Sequence, residues 1–254
     1  RACAYALERK QGQRGGLPVA IAEHPDVRRM LMRMRALTMA ARALVYYAFS
    51  QADRGGRGDK EAKFRADVLT PLAKAWGTDI GCEVASLGIQ VHGGMGYVEE
   101  TGAAQHLRDA RIAPIYEGTN GIQAADLVQR KLDLDDGAAF DALIADIRAE
   151  SADERLVALT DAVEICAATF RQADMDDRLA GSYPFLTMCS VMVAGWLLER
   201  IARAAKGGRD PFIEARMAAI DYFLAAVVPE ALGLGAAAGA GAEMLYKVPA
   251  EALA

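Results

Sequence analysis

Apolar residues recur at spacings of three and four along most of this chain, which is the periodicity of a helix with one buried face. Over residues 25–53 the repeat runs through Val27, Met30, Leu31, Met34, Leu37, Ala41, Leu44 and Val45, with Pro25 suited to a first helical turn. A polar, glycine-rich break, Arg54-Gly55-Gly56-Arg57-Gly58-Asp59, predicts an exposed loop. The pattern resumes over 60–92 through Leu72, Ala75, Trp76, Ile80, Val84 and Leu87, with Asp67 and Thr70-Pro71 punctuating its start. Residues 1–10 predict a short helical piece, followed by a loop over Gly12–Gly16 that Pro18 ends. Gly93-Gly94-Met95-Gly96-Tyr97 is a hard break. A short helix is expected over 101–111 with Thr101 as its cap, and Pro114 stops it. Thr119 or Asn120 caps a further helix over 121–132, and Asp133–Gly137 marks a boundary.

Beyond that boundary the spacing predicts helices over 139–176, in one run or two, then 184–206, 211–229 and 239–246. No internal repeat is visible, and no alternation is strong enough to predict a sheet. The expected organisation is a helical bundle over 1–135 and a helical C-terminal extension over 136–254.

Composition sharpens the class. Hydrophobic residues make up 53% and aromatics 7%, with abundant alanine and few β-branched runs, so the fold class expected is all-α. A net charge of -5 argues against nucleic acid as a partner, and the arginines between Arg28 and Arg42 predict a solvated helix face. Phe185–Leu198 is the most apolar run, but a bilayer needs about 20 residues, so a buried helix and no membrane span are expected. Cys3, Cys82, Cys166 and Cys189 form no CxxC pair and predict small buried thiols in a reducing, cytoplasmic compartment. His24, His92 and His106 lack metal-ligand spacing, so no metal is expected. The opening Arg1-Ala2-Cys3-Ala4-Tyr5 carries no cap and reads as the middle of a helix, so a longer parent protein is expected.

Three clusters carry candidate chemistry: Glu8-Arg9-Lys10-Gln11-Gly12; Gln90-Val91-His92-Gly93-Gly94-Met95-Gly96-Tyr97; and Arg108 through Gln123, which contains Ile115-Tyr116-Glu117-Gly118-Thr119-Asn120-Gly121. Singly they are unremarkable. Gly-Gly-x-Gly is a turn and not a dinucleotide fingerprint, Arg9 is a surface cation, and Glu117 is a favourable charge near a helix start. Together, in this order on an all-helical chain, they resemble the C-terminal four-helix-bundle domain of acyl-CoA dehydrogenases. The Ile-Tyr-Glu-Gly-Thr-Asn-Gly-Ile-Gln form, the helical extension, and Tyr183-Pro184-Phe185 followed by Trp196-Leu197-Leu198 resemble the longer subgroup that includes 3-methylmercaptopropionyl-CoA dehydrogenases.

The resemblance implies α,β-dehydrogenation of an acyl-CoA thioester by an FAD enzyme, with Glu117 as the base that takes the α-proton and Tyr116 lining the acyl pocket. It implies that Thr119 and Gly121 contact flavin. It also implies that Arg9 reaches the flavin pyrophosphate of a partner subunit, and that Gln90 and Gly94 meet the adenosine end of that same cofactor. A homodimer or dimer of dimers and an acceptor such as electron-transfer flavoprotein follow from the same likeness. The chemistry agrees: an arginine can give a pyrophosphate two parallel hydrogen bonds, and glycines let the backbone approach a bulky cofactor. The sequence departs from the family's commoner pattern at Gly12, in the length of the Gly12–Glu23 loop, at Pro25, and at Ala124 and Gln129. Two other readings are a non-catalytic relative, flavin-linked or DNA-protective, and a helical assembly module.

Overall fold

The structure is a computed structural model, and it describes residues 1–205, 207 and 210–253. Helix α1 (Ala2–Glu8) leads into a two-stranded antiparallel hairpin, β1 (Lys10–Arg14) and β2 (Leu17–Ala20). The hairpin replaces the loop expected over Gly12–Gly16. Every residue of β1 is exposed, so the sequence held no apolar alternation to announce it.

Two long helices then form the spine: α2 (Pro25–Gly56) and α3 (Lys60–His92). Pro25 occupies the first turn of α2, where its missing N–H costs nothing. The expected glycine-rich loop is much shorter than predicted, because α2 runs through Gly55 and Gly56. The Asp59 carboxylate caps α3 by accepting from the Ala62 N–H at 2.9 Å and from Arg54 at 2.7 Å. These two contacts, the amide first, hold Asp59 below the usual carboxylate range. So short a turn forces α2 and α3 antiparallel. Ala36, Leu37, Ala40 and Leu44 then bury against Val68, Leu69, Leu72 and Ala75, all in one core. Pro71 lies inside α3 and does not end it.

After α3 come α4 (Gly94–Tyr97), α5 (Ala103–Ala110) and α6 (Asn120–Asp126). Gly102, in the left-handed conformation, precedes α5; the expected cap Thr101 instead ends a 3-10 turn. Thr119 is the cap of α6, its hydroxyl accepting from the Ile122 N–H at 3.3 Å, and a π-turn (Leu127–Lys131) prolongs that helix.

The C-terminal half contributes α7 (Ala138–Glu150), α8 (Glu154–Gln172), α9 (Met175–Ala204), α10 (Pro211–Tyr222), α11 (Val228–Leu232) and α12 (Gly235–Ala238). The run expected over 139–176 is two helices, broken where Asp153 caps α8. The helix expected from 184 begins instead at Met175, because Asp174 caps it, and Pro184 is carried in its interior. The helix expected over 239–246 is only a 3-10 turn, Glu243–Tyr246.

Helix α9 is the axis of the main core, while a smaller cluster, Ala2, Ala6, Ala22, Met30 and Val91, packs α1 onto α2 and the end of α3. From Met188 to Glu199 every residue is buried, and α9 packs on α2, α3, α6 and α8. A single apolar cluster therefore extends from Ala36 to Ala238. By length and composition two helical stretches, Met175–Ala204 and Pro211–Ala238, suffice to cross a membrane, but 78% of the apolar window of the first lies inside this bundle. The arginine-rich face of α2 is not wholly solvated either: Arg33 is largely buried and bridges Glu83 at 2.5 Å and Glu230 at 2.8 Å, tying α2 to α3 and α11.

Candidate functional site

The first two sequence clusters meet. Arg9 closes α1, its N–H donating to the Tyr5 carbonyl at 2.9 Å while its own carbonyl accepts from the Ile21 N–H at 2.8 Å. Tyr5 stacks on His92 with ring centroids 4.5 Å apart, and His92 bonds the Gly88 carbonyl at 2.6 Å. These contacts bring the end of α1 beside the end of α3. Between them lies a concavity of about 330 Å³ lined by Arg9, Gly12, His24, Gln90, His92 and Gly93. Gly93 (φ 61°) turns the chain out of α3 in a conformation that side chains rarely adopt. Gly96 is required for a different reason: a Cβ there would sit 2.2 Å from the Ile89 carbonyl oxygen. Around Gly94, which is exposed, an added Cβ would meet nothing within 4 Å, so the backbone is open to a ligand. Arg9 and Gln90 are exposed, and among the described residues Arg9 forms no ion pair. A free guanidinium, an amide side chain and unobstructed glycine backbone suit an anionic, extended cofactor.

The third cluster lies elsewhere on α3. Its loop is closed by the Asn120 N–H donating to the Pro114 carbonyl at 2.9 Å, with Pro114 and Asn120 buried. Glu117 has φ 51° and Gly118 φ 86°. Left-handed backbone is uncommon for a residue with a side chain and persists only where the surroundings enforce it. Here the enforcement comes from below. Lys74 donates to the Gly118 carbonyl at 2.7 Å and to Asn120 Oδ1 at 2.8 Å. Asn120 Nδ2 donates to the Ala75 carbonyl at 3.0 Å and to Asp79 Oδ1 at 2.8 Å. Tyr183, from α9, donates to Asp79 Oδ2 at 2.5 Å. Burial pushes the Lys74 ammonium down, while the charges of Asp79 and Glu117 oppose that shift.

The side chains of Glu117 and Tyr116 are exposed, as are Thr119 and Gly121. Ile112, Ile115 and Ile122, in the same stretch of chain, are exposed too. Among the described residues the Glu117 N–H donates to no acceptor. Lys74 and Gln90 are sixteen residues apart on one helix, so loop and groove are separated by roughly 24 Å along α3 at 1.5 Å per residue.

Lys74, Asp79 and Tyr183 were not among the sequence-derived candidates. Polar residues recur along α3, Asp67, Thr70, Thr78 and Glu83 among them, so no spacing signal marked Lys74 or Asp79, and none marked Tyr183 on α9. The cysteines also differ from expectation: Cys189 is buried, Cys82 and Cys166 are half-buried, and Cys3 is exposed. Burial raises the Cys166 and Cys189 thiols. Among the described residues no cluster of His, Cys, Asp or Glu is arranged to hold a metal.

Helical bundle, clamped carboxylate loop and glycine-edged groove define an all-helical scaffold with one open loop and one open groove, and comparison gives that class its family. Residues 1–132 match the family model described as acyl-CoA dehydrogenase, C-terminal domain. Residues 123–249 match a second, described as acetyl-CoA dehydrogenase C-terminal like. The chain belongs to the acyl-CoA dehydrogenase family. It is 42% identical to 3-methylmercaptopropionyl-CoA dehydrogenase of Ruegeria pomeroyi over 84% of its own length and 40% of that protein's. It is 30% identical to the broad-specificity linear acyl-CoA dehydrogenase FadE5 of Mycobacterium tuberculosis, over 83% of this chain and 40% of that one. The chain thus spans about two-fifths of the length of these relatives. Its fold matches a Bacillus anthracis acyl-CoA dehydrogenase complexed with FAD at a TM-score of 0.71 and 21% identity, covering 98% of this chain and 46% of that one.

Proposed function

We propose that this chain is the C-terminal part of an FAD-dependent acyl-CoA dehydrogenase, with residues 1–135 as the catalytic bundle and 136–254 as a supporting extension. The observation that carries this reading is Glu117. It is a carboxylate on left-handed backbone beside a hydrogen-bonded clamp, with an unpartnered amide at its own nitrogen and exposed isoleucines in the same loop.

Glu117 takes the α-proton of the acyl-CoA thioester. Its free N–H donates to the thioester carbonyl, where negative charge develops as the proton leaves; such donors are aimed at the transition state rather than the ground state. Tyr116 and the neighbouring isoleucines border the acyl chain and, with upstream domains, exclude water. The flavin, when bound, supplies the acceptor for the β-hydride, so that the substrate loses one proton and one hydride and gains one C=C bond.

The residues present fit that cofactor. Thr119 and Gly121, at the exposed start of α6, would contact it from the loop. Arg9, with Gln90 and the open backbone at Gly94, would hold the pyrophosphate and adenosine end of a flavin, and the family resemblance assigns that flavin to a partner subunit. A homodimer or a dimer of dimers follows from that reading. Reoxidation falls to an acceptor such as electron-transfer flavoprotein.

The test is anaerobic bleaching of the full-length protein's flavin against a panel of acyl-CoAs, from short and thioether-containing, including 3-methylmercaptopropionyl-CoA, to long linear chains. Stoichiometric bleaching by at least one thioester is expected. A colourless protein that ignores added FAD would favour a helical assembly module instead.

A further inference from the structure

We propose that Tyr183, contributed by α9, is a positioning residue for the Glu117 loop, acting through Asp79 and Asn120; this rests on the reading of Glu117 as the base. Four hydrogen bonds link the extension to the loop without a gap: Tyr183 to Asp79 at 2.5 Å, Asn120 to Asp79 at 2.8 Å, Lys74 to Asn120 at 2.8 Å, and Lys74 to Gly118 at 2.7 Å.

The links reinforce one another's direction. The Asn120 amide presents donors on one side and an acceptor on the other, and either orientation fills the same space. The Ala75 carbonyl and an ionised Asp79 carboxylate only accept, so the two together hold Nδ2 and leave Oδ1 for Lys74. Asp79 is itself free to rotate about its side-chain bonds unless its second oxygen is held, and Tyr183 holds it. With Asn120 so oriented, Lys74 spans Oδ1 and the Gly118 carbonyl, which sets the peptide directly after Glu117. The left-handed backbone at Glu117 is costly for a residue with a side chain, so a loosened clamp lets it relax and re-aims the carboxylate.

Tyr183 keeps 41% of its surface exposed. Desolvation of the part against α3, with the Asp79 carboxylate beside it, still pushes its phenol up to about 12, so the hydroxyl remains a donor throughout the neutral range. Because the ring is partly exposed, Tyr183→Phe removes the donor while leaving the packing of α9 in place.

The experiment compares wild type, Tyr183→Phe, Asp79→Asn and the double variant in the full-length holoenzyme. It reads amide hydrogen exchange over residues 112–122, the rate of flavin reduction by acyl-CoA, KM and the melting temperature. Expected for Tyr183→Phe is faster exchange confined to 112–122, flavin reduction slowed about tenfold, and KM within about twofold, since a 1 Å misplacement alone can cost about 100-fold. The double variant should be little worse than Asp79→Asn, because residues in one network are not additive. Unchanged exchange overturns the proposal. So does faster exchange with an unchanged reduction rate, or a uniform rise in exchange with a lowered melting temperature. Should Glu117→Gln reduce flavin at the wild-type rate, the reading of the base fails, while the exchange data still decide whether Tyr183 holds the loop.

Discussion

Helix α9 and the loop after α5 are opposites. From Met188 to Glu199 every residue of α9 is buried, whereas between Arg111 and Ile122 only Pro114 and Asn120 are. One is held mainly by apolar contact, the other by a few directed hydrogen bonds from beneath. The difference shows how the fold separates its tasks. Burial fixes where α3 and α9 stand, and the polar residues they share then fix the loop. The loop's outer face stays open, with Ile112, Ile115, Tyr116 and Ile122 exposed and available to a substrate or a covering domain.

The contrast predicts unequal responses to substitution. The largest belongs to α9: Phe185→Ala removes a ring packed against Phe170 and Phe140 and should cost about 3–5 kcal/mol in chemical denaturation. Gly181→Ala is next. Its Cβ would fall 2.0 Å from the Ala238 carbonyl, forcing α9 and α12 apart, with about 1–3 kcal/mol lost. Asp153→Ala, which removes the cap of α8, should cost about 1 kcal/mol by the same measurement. Ile115→Ala, in the loop, should leave stability within about 0.5 kcal/mol while altering acyl-CoA affinity in the full-length enzyme.

A pH titration sharpens the contrast further. The folded Tyr183 phenol titrates at about 12 against an ordinary 10.0, so the folded chain keeps a proton that an unfolded one has lost. Its contribution is therefore complete below pH 10.0 and disappears as pH rises through about 12. Tyr183→Phe should flatten that part of the alkaline stability profile.

Much of this was legible in the sequence, for reasons that differ by element. The spacing of Leu37, Leu44, Leu72 and Trp76 marked α2 and α3 because each helix has one buried stripe. The start of α9 was missed because Pro184 reads as a beginning, while the actual start depends on Asp174 accepting from the Asp177 N–H at 3.0 Å. The hairpin was invisible because its strands bury almost nothing. The same limit applied to the site. Arg9, Gln90 and Glu117 were marked by family likeness, not by any local pattern. Lys74, Asp79 and Tyr183 matter only through contacts that span up to 104 residues of sequence, and spacing along one helix does not reveal them.

The measurement that bears most directly on the central claim is single-turnover flavin reduction by acyl-CoA in the full-length Glu117→Gln variant. Gln fills the same space and keeps the backbone N–H but cannot take the proton, and general bases contribute about 100- to 10,000-fold. The account predicts a variant that is folded, yellow and able to bind acyl-CoA, reducing flavin at least about 100-fold more slowly than wild type. Reduction at a rate close to that of the wild-type enzyme would contradict it.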